Sequence, residues 1–567
     1  MKTKWISLFL CLLILAPLFT LPASALTPTQ AADVDGDGAV TARDAAILAR
    51  HAACWDGYVD ENGGLTYPWK ERDASRYIAS FDPARPVYFE DGYTFRVLTY
   101  GGADDGVLND GSGRTKFKTT HFSVKDVCPW TSGSWSDTSS YARYYTKISE
   151  VVTQRNKYLK DTYNITVEEE RVYNTFDTLK IDSLCGLDSY DAVMLPLGNY
   201  YNYASIGYVQ NVCNIPTIDL SAQWYDADLL SGITFDNALY YLTGASDSAV
   251  RQSVFLPAIG LTNVQQSFGL VNVAAAADFI YDKVLDGDWT IETMLDVVNT
   301  CYNHYSGTEP THYKVGAETR INFDQMMSAG FESVYHNGSA YTFYDSFSAC
   351  PGYEAWAALK PLLASERDTS AGSNIYSGTK STVVIRYIGS TVYAYNSQMR
   401  SSGYALAILP DAKGSAAQEK YRMNPGMGFC YLYAIPKYNH ADGFAARYGF
   451  DSGKNLAGYL MSAYMEASLG KHNSKGYDVR DAFIQQLAAL PGLHNSEYGG
   501  KPLQTLELIF NSIYFERGMV LSSDLYDKFK SAGNDESKWD ALATSYASNI
   551  DTLKGYASNV QDYLALE

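Results

Sequence analysis

The chain has 567 residues, 46% of them hydrophobic and 14% aromatic, which is ample for large cores and excludes a disordered polymer. Asp and Glu number 63 against 44 Lys and Arg, a formal net charge of −19, so nucleic acid and anionic membrane surfaces are excluded as partners by repulsion. The eight cysteines are widely spread without a CxxC pair, which implies neither a disulfide framework nor a zinc site, and the 47 tyrosines offer flat amphipathic faces that suit sugar rings. Lys2 and Lys4 precede an apolar run from Ile6 to Ala16, and Ala23-Ser24-Ala25 supplies small residues for a signal peptidase. Residues 1–25 are therefore expected to be a signal peptide, and the mature chain to be secreted. Ser7, Pro17, Thr20 and Pro22 break the run short of the roughly 20 apolar residues of a membrane span. Cys11 follows Leu8-Phe9-Leu10 with no small residue before it, which argues against lipid attachment.

The next feature is DVDGDGAVTARD, Asp33 to Asp44. Asp33, Asp35, Asp37 and Asp44 occupy the first, third, fifth and twelfth places of a calcium loop, and Gly38 stands at the sixth, where the chain must turn sharply. Ca²⁺ is a hard ion that takes six to eight oxygens, so Ala39 offers its carbonyl at the seventh place and Thr41 holds a water at the ninth. Ala45, Ile47 and Leu48 then lie on a short amphipathic helix. A second copy follows in VDENGGLTYPWKERDASRYIASF, but Asp60 to Asp73 is two residues longer than Asp33 to Asp44 and keeps few ligands. This tandem, over residues 27–82, resembles a dockerin, the module that attaches secreted bacterial proteins to cohesins. The resemblance implies that the tenth and eleventh loop residues face the cohesin: Ala42 and Arg43, with Glu71 and Arg72 in the second unit. An EF-hand-like ornament without a partner is the alternative.

Residues 83–87, within FDPARP, read as a linker, and the body follows at 88–567. YTFRVLTYGG opens it with a strand, after which Gly101-Gly102 turns the chain into a polar loop carrying Trp130 and Trp135. A helix is expected over Tyr141 to Tyr158, a strand at Ile165-Thr166-Val167, a buried strand over Tyr190 to Leu195, and a loop at Gly198 to Tyr203. The alternation of strand and helix implies a parallel sheet. Thr290 is placed to cap a helix whose apolar face is Ile291, Met294, Leu295 and Val298, with Trp289 assigned to structure. A final amphipathic helix runs from Trp539 to Tyr563.

The run YDAVMLPLGNYYNYASIGYVQNVCNIPTIDLSAQWYD, then NALYYLTG, then DFIYDKVLDGDWTIETMLDVV, resembles the extracellular solute-binding proteins of bacterial ABC sugar importers. Tyr404 to Pro410 matches that family's return crossing. The resemblance spans about Tyr88 to Lys530 and implies an α/β fold: a two-lobed, periplasmic-binding-protein-like body of type II with hinge crossings, preceded by the small α-helical, EF-hand-like module. It implies a carbohydrate or other small solute enclosed by domain closure, and importer membrane subunits as partners. Trp130, Trp135, Tyr200, Tyr201 and Trp224 are the aromatic residues placed to stack on a sugar, with ordinary packing as the alternative for each.

Because dockerins ride on polysaccharide-degrading enzymes, a glycoside hydrolase is the rival class, and a glycan-binding scaffold component without a transport role is another. The sequence has no HExxH and no GxSxG elbow; GTKS at Gly378 to Ser381 lacks the phosphate-loop order, and Gly426-Met427-Gly428 is followed by Tyr431 where a dinucleotide fingerprint needs glycine. Glu168-Glu169-Glu170 are neighbours on a strand and so point to alternate faces, which is no catalytic pair. No catalytic residue is assigned. Calorimetry on residues 27–85 is expected to show one dominant Ca²⁺ site, because only the first loop has the right length and ligands; two equally tight sites, or none, would contradict it.

Overall fold

The structure is a computed structural model. It describes residues 80–100, 115–117, 146–172, 174–246, 257–261, 264–306, 313–317, 330–354, 357–358, 367–368, 381–387, 405–410, 421–422, 430–437, 442–489, 496–521 and 537–564, with Ile78, Leu493 and Asp535. The expected signal peptide, the calcium ligands Asp33 to Asp44 and the cohesin-facing residues Ala42, Arg43, Glu71 and Arg72 lie outside the described residues.

From the amino end come β1 (Tyr93–Tyr100), β2 (Thr115–Phe117), α1 (Thr146–Tyr163), β3 (Ile165–Val172), α2 (Thr175–Leu184), β4 (Ala192–Pro196), α3 (Tyr200–Ser205) and α4 (Ala227–Ser231). Next are β5 (Pro257–Leu261), α5 (Val273–Leu285), α6 (Ile291–Ser306), β6 (Tyr313–Ala317), β7 (Val334–His336), β8 (Tyr341–Phe343), β9 (Arg367–Asp368), β10 (Ser381–Tyr387) and β11 (Ala405–Ala407). Then follow β12 (Tyr431–Ala434), α7 (Gly453–Ala467), α8 (Val479–Ala488), α9 (Lys501–Asn511) and α10 (Lys538–Leu564). Among the described residues no helix is long and apolar enough to cross a membrane.

Two sheets organise these elements, each with its own core. The first runs β12-β4-β1-β3-β2, with β1, β3 and β4 parallel and the two edge strands antiparallel to their neighbours. Parallel neighbours need crossovers, and α1 and α2 supply them, as the alternating pattern of the sequence requires. The second runs β11-β5-β10-β6-β9, with β6, β9 and β10 parallel and β5 antiparallel to both its neighbours. One core gathers Phe95, Leu98, Met194 and Leu195 with α7 and with Trp539, Leu542, Tyr546, Ile550 and Leu553 of α10. The other gathers Ile280, Tyr281, Trp289, Met294, Val298 and Leu406 with α8 and α9. The body is thus a two-lobed α/β structure. The chain crosses between the two cores several times: Phe331 to Cys350 return to the first before β10 and β11 join the second, and α8 and α9 join the second after β12 and α7 have joined the first; Tyr404 to Pro410, expected as the return crossing, hold β11 in the second sheet.

Several expected elements stand where the sequence placed them. Thr290 Oγ1 accepts from Thr293 N at 3.2 Å and so starts α6, whose Ile291, Met294 and Val298 are buried; Trp289 is buried and donates to Ile408 O at 2.8 Å. The segment from Gly198 to Tyr203 differs from the expected loop: a 3₁₀ turn at Leu197–Asn199 leads into α3. Burial of Tyr200 and Tyr203, at helical spacing, fixes that turn of helix against the core.

The amino edge of the first sheet is held by one carboxylate. Asp191 is wholly buried and accepts from Arg96 N at 2.8 Å, from Arg96 Nη2 at 3.0 Å and from the Tyr93 hydroxyl at 2.7 Å. Burial first, and the Asp191 carboxylate next, push the Tyr93 hydroxyl far above its ordinary value, so it remains a donor. Asp191→Ala should lower stability by about 3 kcal/mol in urea unfolding, because it removes the buried acceptor of four hydrogen bonds, three from Arg96 and one from Tyr93. A loss within error of zero would show that the clamp contributes nothing.

Candidate ligand crevice

Loops that follow the carboxyl ends of parallel strands line the ligand crevice of an open α/β sheet. In the first lobe those ends are Tyr100, Val172 and Pro196, brought level by the pairing of Tyr100 with Val172 and of Val97 with Ala192. Near this edge Thr99 Oγ1 donates to Glu169 Oε1 at 2.6 Å, and Arg171 Nε reaches the same oxygen at 3.3 Å. Glu169 and Arg171 stand two apart and share one face of β3, so the edge carries an oriented acceptor and a guanidinium.

A further segment extends the sheet. Leu242 exchanges both backbone hydrogen bonds with Tyr433, at 2.7 and 3.0 Å, on the antiparallel strand β12. The segment around it therefore runs parallel to β4 and delivers Thr243, Gly244 and Ala245 to the carboxyl edge. There Tyr225 bridges Gly244, and Ala245 N donates to Trp224 O at 3.0 Å. A Cβ at Gly244 would lie 1.9 Å from Trp224 O, so only glycine permits this approach.

Against this corner opens a cavity of ≈ 330 Å³ with walls from both lobes. Trp224, Tyr225, Asp226 and Thr243 come from the first; Asp478 and Arg480, at the start of α8, come from the second, and Ile513 packs against both cores. Each of two carboxylates caps a helix: Asp226 accepts from Leu229 N at 3.1 Å and Asp478 from Asp481 N at 2.7 Å. Burial first, and the neighbouring Asp481 next, raise the Asp478 carboxyl from 3.8 to about 6.

The five aromatic residues expected to stack on a ligand divide sharply. Trp130 and Trp135 lie outside the described residues. Tyr200 has no face to offer: it is fully buried, its hydroxyl accepts from Tyr240 N at 3.0 Å, and Tyr241 packs edge-on at 4.8 Å. It belongs to the core because α3, instead of a loop, carries it inward. Tyr201 is half-buried and packs against the same core. Trp224 lines the cavity but is largely buried, at 7% exposure, in the first core, where its ring and that of Phe81 meet in a T-shaped contact at 5.3 Å. Sequence reasoning missed Asp478 and Arg480. The capping spacing from Asp478 to Asp481 was visible, but nothing local says that a residue more than two hundred positions after Trp224 will face it.

Residues 16–51 match the family described as dockerin type I domain. The chain carries a dockerin type I domain. The dockerin match takes in the stretch from Asp33 to Asp44 and the residues after it as far as His51, and ends before the second, stretched unit. No curated protein matches the chain. Among solved structures, the body is similar to the galacto-N-biose and lacto-N-biose I-binding protein of an ABC transporter from Bifidobacterium longum. That likeness has 10% identity and a TM-score of 0.45, covering 83% of this chain and 98% of that one. It is similar also to an extracellular solute-binding protein of family 1 from Alicyclobacillus acidocaldarius, at 13% identity and TM-score 0.38, over 83% of this chain and 99% of that one. An ABC substrate-binding protein from Listeria monocytogenes, in complex with cycloalternan, is similar at 11% identity and TM-score 0.40, over 84% and 99%.

The raised Asp478 carboxyl makes a pH prediction. Between its ordinary value of 3.8 and about 6 the folded chain holds this proton and the unfolded chain releases it, so the contribution to stability is full below that window and is lost as pH rises through it. Asp478→Asn keeps a capping oxygen and removes the charge. It should raise stability at pH 7 by on the order of 1 kcal/mol, with the gain vanishing below about pH 4. Thermal unfolding of both proteins across pH 4 to 8 checks it; parallel curves would contradict it.

Proposed function

We propose that the chain is a secreted solute-binding protein that captures a carbohydrate between its lobes for an ABC importer. Its dockerin moors it, with Ca²⁺, to a cohesin on a scaffold or cell surface. The observation that carries the reading is the cavity itself: the turn from Gln223 to Leu229 and the segment Thr243 to Ala245, bridged beside the first sheet, face Asp478 and Arg480 at the start of α8. Enclosure between two walls is how a small solute loses most of its contact with water. A sugar's C–H face is apolar while its hydroxyls demand hydrogen bonds, and a crevice with Trp224 on one side and Arg480, Thr243 and carboxylates around it meets both demands. Trp130, Trp135 and Tyr201 are proposed to add further aromatic faces.

Ca²⁺ suits the amino-terminal donor set, four carboxylates with a backbone carbonyl and a water site at the required places. Ala42, Arg43, Glu71 and Arg72 are the residues proposed to meet the cohesin. The protein is not an enzyme in this reading. Asp226 and Asp478, on the two cavity walls, are each fixed by a helix-capping hydrogen bond, which suits them to hold a solute's hydroxyls in place.

A thermal-shift screen of the whole chain on oligosaccharides, monosaccharides and amino acids tests the proposal. A carbohydrate at about a hundred times its Kd should stabilise the fold by about 2.7 kcal/mol. Trp224→Ala should then weaken its binding about tenfold, if stacking contributes on the order of 1 to 3 kcal/mol. Reducing ends should stay at background. Stabilisation by amino acids alone would remove the sugar reading, and glycan turnover abolished by one Asp or Glu substitution would move the protein to the hydrolases.

A further inference from the structure

The helix α1 belongs to both cores. Its amino half puts Ile148, Val151 and Val152, all buried, into the second core beside Val479, Ala482 and Phe483 of α8. Its carboxyl half puts Leu159 and Tyr163, both buried, into the first core. The helix has 18 residues and so spans about 27 Å as one rigid rod.

Polar contacts follow the same line. Lys147 N donates to Gln486 Oε1 of α8 at 3.2 Å. The turn that carries the chain from α7 to α8 is stitched to α1: Ser474 N donates to Gln154 Oε1 at 2.6 Å, and Lys475 pairs with Glu150 at 3.1 Å. His472 of that turn stacks on Tyr158 at 3.9 Å while its Nε2 lies 2.6 Å from the buried Glu466 carboxylate of α7.

A rigid rod packed into two bodies does not let them rotate apart while both contacts persist. We infer that α1 is a clasp between the lobes: its carboxyl half is part of the first lobe, and its amino half grips α8 of the second. The lobes of the free chain therefore rest together, and opening requires the seam of Val151 and Val152 against α8 to part. Ligand would then adjust an arrangement already held, instead of drawing two separate lobes together. This inference is independent of what the crevice takes.

Hydrogen exchange and small-angle scattering on the whole chain, with no glycan present, test it. In the unaltered chain, exchange should be slow along all of α1. Gln154→Ala with Gln486→Ala removes two stitches while leaving every apolar core side chain in place, and should speed exchange over residues 146–155 by at least about threefold, leaving 156–163 unchanged. Val152→Ser added to that pair should speed it about tenfold and raise the radius of gyration. If the triple variant fails to fold, the double variant decides alone. Fast exchange in the amino half of α1 of the unaltered chain would overturn the inference, as would folded variants whose exchange matches the unaltered chain.

Discussion

β1 pairs with β3 along its full length and with β4 at Val97 and Leu98, and the buried Asp191 ties the amino end of β1 to the start of β4. Everything that bears on a ligand depends on that pairing. Parallel strands deliver their successors to one edge, so Thr99, Glu169, Arg171 and the segment after Pro196 share a rim although they lie far apart in sequence. The clamp at the opposite edge has another consequence. Its charges are satisfied inside one cluster, so the amino edge has little left to offer a solute.

What was legible in the sequence was what is local. The strand at YTFRVLTY, the capped start of α6 and the apolar stripe of α10 each follow from spacing within a dozen residues or so, and each is present. Tyr200 was misplaced because a loop and a short helix cannot be told apart by periodicity over six residues, and the two outcomes put its ring on opposite sides of the surface. Asp478 and Arg480 were invisible for a different reason. Their role comes from a second lobe folding against the first, a contact between segments that no local pattern records.

The dockerin and the body pose separate physical problems. The first loop sets four carboxylates within twelve residues, a like-charge cluster that the proposed calcium would neutralise. The body needs no such ion to explain its cores, which close on aromatic and aliphatic contacts. In the proposed function the two parts would therefore respond to different conditions, one to calcium and the other to solute.

The closing helix α10 sits in the first core, with Trp539 buried and donating to Tyr344 O at 2.7 Å, and Leu553 O accepting from the Tyr240 hydroxyl at 3.1 Å. The oldest part of the body in chain order is thus completed by the newest. A chain emerging amino end first presents β1 to β4 long before α10 exists, while the helices of the second core are all available earlier. The elements of the second core are all made before α10, and the first core is completed only when α10 docks. That exposes its tyrosine-rich interior to chaperones and proteases for the longest time, and makes truncation near the carboxyl end more damaging than its distance from the crevice suggests.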